Sequence, residues 1–146
     1  MYNLGAHYRE QADGKKGEEE KRFYNLSREW YQRGADLGHA DSMWALAKIY
    51  EHGLGVEADK KRQMEWLEKA SDFGSDRARN DLAVIYIKGD GVQANHARAI
   101  ELLEVIVANG SVTQAEVNLA HLLIFGDGVK RDLPRARKLL ENSVGR

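Results

Sequence analysis

The chain repeats itself, and the period limits what it can fold into. Leu46, Ala47, Tyr50, Gly53, Gly55, Val56 and Gly74 return 36 residues later as Leu82, Ala83, Tyr86, Gly89, Gly91, Val92 and Gly110. A step of 37 then carries Leu82, Ala83, Gly89, Gly91, Val92, Ala99 and Glu104 to Leu119, Ala120, Gly126, Gly128, Val129, Ala136 and Glu141, while Tyr86 becomes Leu123. A divergent copy stands upstream. Leu4, Gly5 and Tyr8 match Leu46, Ala47 and Tyr50 at a shift of 42, and Trp30 and Gly38 match Trp66 and Gly74 at a shift of 36. The six extra residues lie in the charged stretch "REQADGKKGEEEKRF". Four units result, at about 1–39, 40–75, 76–111 and 112–146. A fixed period of this length marks stacked supersecondary units that share one continuous core, because no unit buries its apolar face alone.

Each unit reads as two helices. Leu46, Ile49, Tyr50 and Gly53 follow the three-and-four spacing of one helical face. The glycines after them are expected to end that helix, since glycine enters the left-handed conformation without a Cβ clash. Asp59, Asn95 and Asp132 stand at equivalent positions and suit the N-cap of a second helix. Met64, Leu67 and Ala70/Ser71 are its expected buried stripe. Gly74 and Gly110 close their units. In the first unit the second helix is expected to start near Glu18, with Phe23, Leu26 and Trp30 inward. The only proline, Pro134, falls where a helix begins and is tolerated.

The corner itself, Gly-x-Gly-Val, deserves a chemical test as a binding loop. A phosphate loop would follow a strand and carry Gly-Lys-Ser/Thr, and neither is present. A calcium loop needs several spaced carboxylates ending in a glutamate, yet the Asp of the corner is Leu54 in one copy. Gly53, Gly55, Gly89, Gly91, Gly126 and Gly128 therefore read as structural turn residues, with the valine filling the gap between helices.

Composition narrows the function classes. With 22 Lys and Arg against 23 Asp and Glu, the chain has no basic footprint for nucleic acid. Arg62, Arg98 and Arg135 stand in register three residues after each cap and are expected to pair with acids such as Glu65 and Glu101. The 146 residues contain no cysteine, which favours a reducing compartment. No apolar run is long enough to span a bilayer, and the N-terminus lacks the pattern of a signal peptide. The expected location is the bacterial cytoplasm, or the periplasm where a signal peptide has been removed.

These residues resemble the Sel1-like repeat family, relatives of the tetratricopeptide repeats. The resemblance rests on "LAKIYEHGLGVEADKKRQMEWLEKASDFG", "LAVIYIKGDGVQANHARAIELLEVIVANG", "LAHLLIFGDGVKRDLPRARKLLENSV" and, in the first copy, "LGAHY" and "EWYQRGADLG". It covers nearly the whole chain, although the first copy lacks its corner. The resemblance implies an all-α fold: a right-handed superhelix, or solenoid, of four helix pairs acting as an adaptor that holds a partner protein. Members are common in bacteria. A secreted subgroup carries paired cysteines in each repeat, and the absence of Cys excludes that disulfide scheme here. Tyr2-Asn3-Leu4-Gly5 enters the pattern partway, and the last unit stops at "ENSVGR" without a capping helix. Arrays need polar caps, so the expectation is a segment of a longer protein, or ends covered by another molecule.

Stacked pairs line a concave face with their first helices. With Leu46, Ile49 and Tyr50 inward, the outward positions are Trp44, Lys48 and Glu51, then Asn80, Val84 and Ile87, then Val117, His121 and Ile124, with Phe125 beside them. In the first unit they are Tyr2, Ala6 and Arg9. Val84, Ile87, Val117, Ile124 and Phe125 would form an apolar patch, which usually marks an interaction site. Lys48, Glu51 and Arg9 would set orientation. Self-association is another way to cover such a face. The insert between Arg9 and Arg22, with five basic and five acidic residues, is a second candidate surface.

Catalysis finds little support. His7, His39, His52, His96 and His121 form no metal-ligand pair, no thiol is present, and no serine lies in a nucleophile elbow. No cofactor, metal, nucleic acid or membrane insertion is expected. The reading is a non-catalytic adaptor that binds a protein on its concave face. Its sharper form is an immunity protein that neutralises a cognate bacterial toxin or secreted effector. A hydrolase-like enzyme is the remaining alternative, with no residue to nominate.

Overall fold

The apolar spacing produces helices throughout. The computed structural model describes residues 1–110 and 113–145, without the side chain of Thr113. Among them are eight α-helices: α1 (Tyr2–Ala12), α2 (Glu18–Asp36), α3 (Ala40–His52), α4 (Lys60–Asp72), α5 (Asp76–Lys88), α6 (His96–Ala108), α7 (Thr113–Phe125) and α8 (Leu133–Val144). The expected boundary between the third and fourth repeats, at residues 111 and 112, lies outside the described residues. The chain falls into two compact units, Met1–Ala78 and Arg79–Arg146.

Helix starts follow the polar caps. The carboxylates of Asp59 and Asp132 and the amide oxygen of Asn95 each accept the backbone N–H three residues on, from Arg62, Arg135 and Arg98, at 3.0 Å. This satisfies a donor that has no partner within the helix. Ser75 does the same for Ala78 at 3.2 Å. α2 begins at Glu18, and its first turn holds Glu18, Glu19 and Glu20, the favourable sign against the helix dipole.

The corners are closed by their own backbone. Gly53 and Gly89 take φ of 65° and 69°. Beyond them the N–H of Leu54 bonds the Ile49 carbonyl at 3.0 Å, and that of Asp90 the Ile85 carbonyl at 3.2 Å, the pattern that terminates a helix through a left-handed residue. Each cap then bonds back to the helix before it: Asp59 N–H to Tyr50 O at 2.9 Å, Asn95 to Tyr86 at 2.8 Å, Asp132 to Leu123 at 3.1 Å.

The fourth corner departs from this. Gly126 is absent from the left-handed positions; Gly128 occupies that region, at φ 70°. Gly126 serves a different need, since a Cβ there would lie 2.6 Å from the Leu122 carbonyl oxygen. The N–H of Asp127 does not turn back onto the helix but donates to His96 Nδ1 at 2.8 Å. His96 Nε2 lies 3.3 Å from the Ile87 carbonyl. With Nδ1 accepting, Nε2 carries the proton and donates, so a neutral imidazole joins the end of α5 to the fourth corner.

In the first compact unit α2 packs on α1 and α3, and α3 on α4. Leu46, Ala47 and Ile49 are buried, and Tyr50 is half-buried. On α4 Leu67, Ala70 and Ser71 are buried as expected and only Met64 gives way, to Gln63, whereas the α2 stripe sits one residue from its expected place. On α4 the buried row is Gln63, Leu67, Ala70 and Ser71, with Met64 at its edge. On α2 it is Tyr24, Ser27, Tyr31, Gly34 and Ala35, with Phe23, Leu26 and Trp30 flanking. Close approach explains the α2 shift. Ser27 Oγ donates to the Gly5 carbonyl at 2.7 Å. A Cβ on Gly5 would meet the Tyr31 ring at 2.5 Å, and one on Gly34 would meet Ser42 Oγ at 2.2 Å. Small residues let the helices approach, and that contact sets which face is central. In the second unit α7 packs on α6 and α8, around Leu102, Leu103, Ile106, Leu119, Leu122 and Leu139.

Candidate partner-binding surface

In the first unit, Trp44 is half-buried on α3 with two cations over its ring: Lys48 Nζ at 5.8 Å and Arg77 Cζ at 5.3 Å from the centroid. Such cation–π contacts hold an indole in place while leaving part of it accessible. Lys48 also pairs with Glu51 one turn on, and Glu51 lies 3.5 Å from His52. Arg77 reaches Asp41 at 4.0 Å. These ion pairs are partly or largely exposed and contribute little stability, but they fix side chains around the indole. Tyr2 sits with its ring centroid 5.6 Å from that of Tyr31.

Beside this group is a cleft of about 530 Å³ at the N-terminal ends of α1, α3 and α5, lined by Tyr2, Asn3, His39, Asp41, Ser75 and Arg77 among others. A second cleft, of about 520 Å³, lies between the start of α2 and the corner at Gly53–Glu57. Tyr24 lines it and donates to Asp13 at 3.4 Å. Burial, reinforced by the Asp13 charge, pushes the Tyr24 phenol above its ordinary value.

In the second unit, Asn80, Val84 and Ile87 on α5 and Val117 and Ile124 on α7 are half-buried, whereas His121 and Phe125 are exposed. Their two rings lie 5.1 Å apart, and Phe125 is 64% exposed. Among these positions Phe125 is thus the open apolar side chain, and the four aliphatic ones are partly covered.

The three arginines in register have local partners. Arg98 bonds Glu101 at 2.8 Å, as the spacing suggested. Arg135 pairs with Glu104 at 2.8 Å. Arg62 turns instead to Tyr50, bonding its hydroxyl at 3.2 Å, with Asp59 at 3.6 Å. Among the described residues, no group of His, Cys, Asp and Glu side chains is gathered as a metal site, and no helix is long and apolar enough to cross a membrane.

Three residues escape motif reading. Arg77 and Asp41 occupy the same position of successive repeats, 36 residues apart, with opposite charge, and that offset was the available signal. His96 has none: its equivalents are Lys60 and Leu133.

Helix pairs repeated along the chain define the class of α-solenoid repeat proteins. The Sel1 repeat family model matches residues 1–39, 40–75, 76–111 and 113–143, and the chain belongs to the Sel1 repeat family. Among solved structures it is similar to a protective antigen of uropathogenic Escherichia coli with an SLR fold, at 28% identity and a TM-score of 0.84 over 99% of this chain and 29% of that one. It is also similar to a Sel1 repeat protein from Oxalobacter formigenes, at 22% identity and a TM-score of 0.78, over 99% of this chain and 56% of that one. The chain therefore spans well under two thirds of the length of either protein. No curated protein matches it. Proteins of this family generally serve as protein–protein interaction scaffolds.

Proposed function

We propose that the chain binds a partner protein through the surface positions of its first helices, with Trp44 and Phe125 as anchors. The observation that supports this most is half-buried Trp44 with Lys48 and Arg77 over its ring. Tryptophan and arginine are the residue types that most often dominate binding energy when a partner closes over them. Lys48, Glu51, Asp41 and Arg77 would supply a polar rim that sets orientation. Half-buried Asn80, Val84, Ile87, Val117 and Ile124 would support His121 and Phe125 rather than anchor on their own.

The test begins with affinity capture from native lysate and continues with the purified partner. Trp44→Ala and Phe125→Glu are each checked for unchanged helicity, then titrated. The proposal expects each to weaken binding at least about tenfold, since truncating an anchor costs 1–2 kcal/mol or more. Unchanged affinity in both folded variants would refute it. A partner whose own activity is blocked on binding would identify the neutralising, immunity-type form of the function.

A further inference from the structure

We infer that His96 makes the fourth corner sensitive to pH: the neutral imidazole holds the corner closed, and its protonation releases the backbone at Asp127. The contact joins three segments. His96 opens α6, directly after the cap Asn95. Its Nδ1 accepts the Asp127 N–H at 2.8 Å, and its Nε2 lies 3.3 Å from the Ile87 carbonyl. A backbone N–H only donates, and a backbone carbonyl only accepts. The ring therefore carries its one hydrogen on Nε2 and keeps the Nδ1 lone pair for Asp127. The equivalent residues, Lys60 and Leu133, offer no such acceptor. The fourth corner also lacks the alternative that its equivalents use. The N–H groups of Leu54 and Asp90 bond the carbonyls of Ile49 and Ile85 beyond a left-handed glycine, whereas Gly126 is not among the left-handed residues.

Acid acts on that lone pair. Histidine changes charge between about pH 8 and about pH 5, and in this tautomer Nδ1 is the nitrogen that gains the proton. An imidazolium donates from both nitrogens. Nε2 keeps the Ile87 carbonyl, while Nδ1–H and the Asp127 N–H become two donors face to face. The Asp127 amide, on an exposed residue, then turns to water. The charged groups nearest in sequence to the three bonded residues are Lys88 and Asp90 after Ile87, Arg98 on α6, and Lys130 and the Asp127 carboxylate on the corner. Arg98 is bonded to Glu101. His121, on α7, is a second histidine close to this corner in sequence, and its ring lies beside Phe125. Phe125 directly precedes the corner and is exposed, so release of the Asp127 backbone changes the surface next to that ring. The change needs no partner.

The test is NMR of the isotope-labelled full chain from about pH 8 to about pH 5. The ring nitrogens of His96 report its tautomer and charge. Water-exchange rates at Asp127 and Asp90, each divided by the rate of the same residue in the unfolded chain at that pH, report protection. At about pH 8 His96 is expected as the Nε2–H tautomer. As it protonates, Asp127 should lose protection about tenfold, the worth of one hydrogen bond, along the same curve, while Asp90 stays unchanged. His96→Asn places an amide oxygen near the Nδ1 position and cannot titrate, so Asp127 should then keep the same protection across the range. An Nδ1–H tautomer in the wild type at about pH 8 overturns the inference without any variant. Protection at Asp127 that stays constant while His96 protonates overturns it equally. The same loss in folded His96→Asn also overturns it, and assigns the effect to His121 or to the Asp127 carboxylate.

Discussion

The contact of Gly5 with Tyr31 allows a sharp test of how the first repeat compensates for its divergence. Three repeats place Ala47, Ala83 or Ala120 where the first has Gly5, and Leu67, Leu103 or Leu140 where it has Tyr31. An added Cβ on Gly5 would lie 2.5 and 2.6 Å from two carbons of the buried Tyr31 ring. Unstrained carbon contacts are about 3.5–4.0 Å, so ring or helix must give by about 1 Å. Overpacking of that kind costs about 1–3 kcal/mol. Against it stands a gain of about 1 kcal/mol from replacing glycine by alanine inside a helix. Gly5→Ala in wild type should therefore lose up to about 2 kcal/mol. In a Tyr31→Leu background the ring is gone and the propensity gain remains, so the same substitution should stabilise by about 0.5–1 kcal/mol. Urea unfolding followed by far-UV circular dichroism on the four chains of the cycle reads the coupling. The reasoning fails if Gly5→Ala stabilises in both backgrounds, for then the ring moves aside without cost.

Other consequences can be checked alongside. Asp59→Ala, Asn95→Ala and Asp132→Ala each remove a cap whose side chain accepts an N–H at 3.0 Å, and each should cost about 1 kcal/mol, seen as a fall of about 2–6 °C in Tm. His96→Ala removes the acceptor of the Asp127 N–H, so amide exchange at Asp127 should speed up well beyond that at Asp90, whose N–H bonds Ile85. Burial raises the Tyr31 phenol above its ordinary 10.0, so the folded state holds that proton more tightly than the unfolded one. The resulting stability is present below pH 10 and is lost as pH climbs through the raised value. Tyr31→Phe should flatten the alkaline fall in urea midpoint; an identical fall in both chains would contradict this.

Much of the architecture was legible because period and punctuation are local. Asp59, Asn95 and Asp132 announce helix starts by chemistry, and Gly53 and Gly89 announce helix ends by conformation. The start of α2 at Glu18 follows from the same logic. What stayed hidden depends on contacts across space. The buried row of α2 centres on Tyr24, Ser27 and Tyr31, because Gly5, Gly55 and Ser42 in other segments leave room there. Gly126 looks like its repeat equivalents, yet its corner is completed by His96 from another helix, which no local pattern encodes. On the surface, Trp44 could be picked out by position, whereas Arg77 over its ring depends on a neighbouring repeat. Half-burial of Val84, Ile87, Val117 and Ile124 likewise comes from packing that spacing does not specify.

The most direct test of partner binding through the first helices is hydrogen–deuterium exchange of the chain with and without its captured partner. The account predicts slowed exchange in peptides covering Asp41–Glu51 and His121–Phe125, with α4 and α6 unchanged. Protection confined to α4, α6 or α8 would contradict it and would place the partner on the second helices.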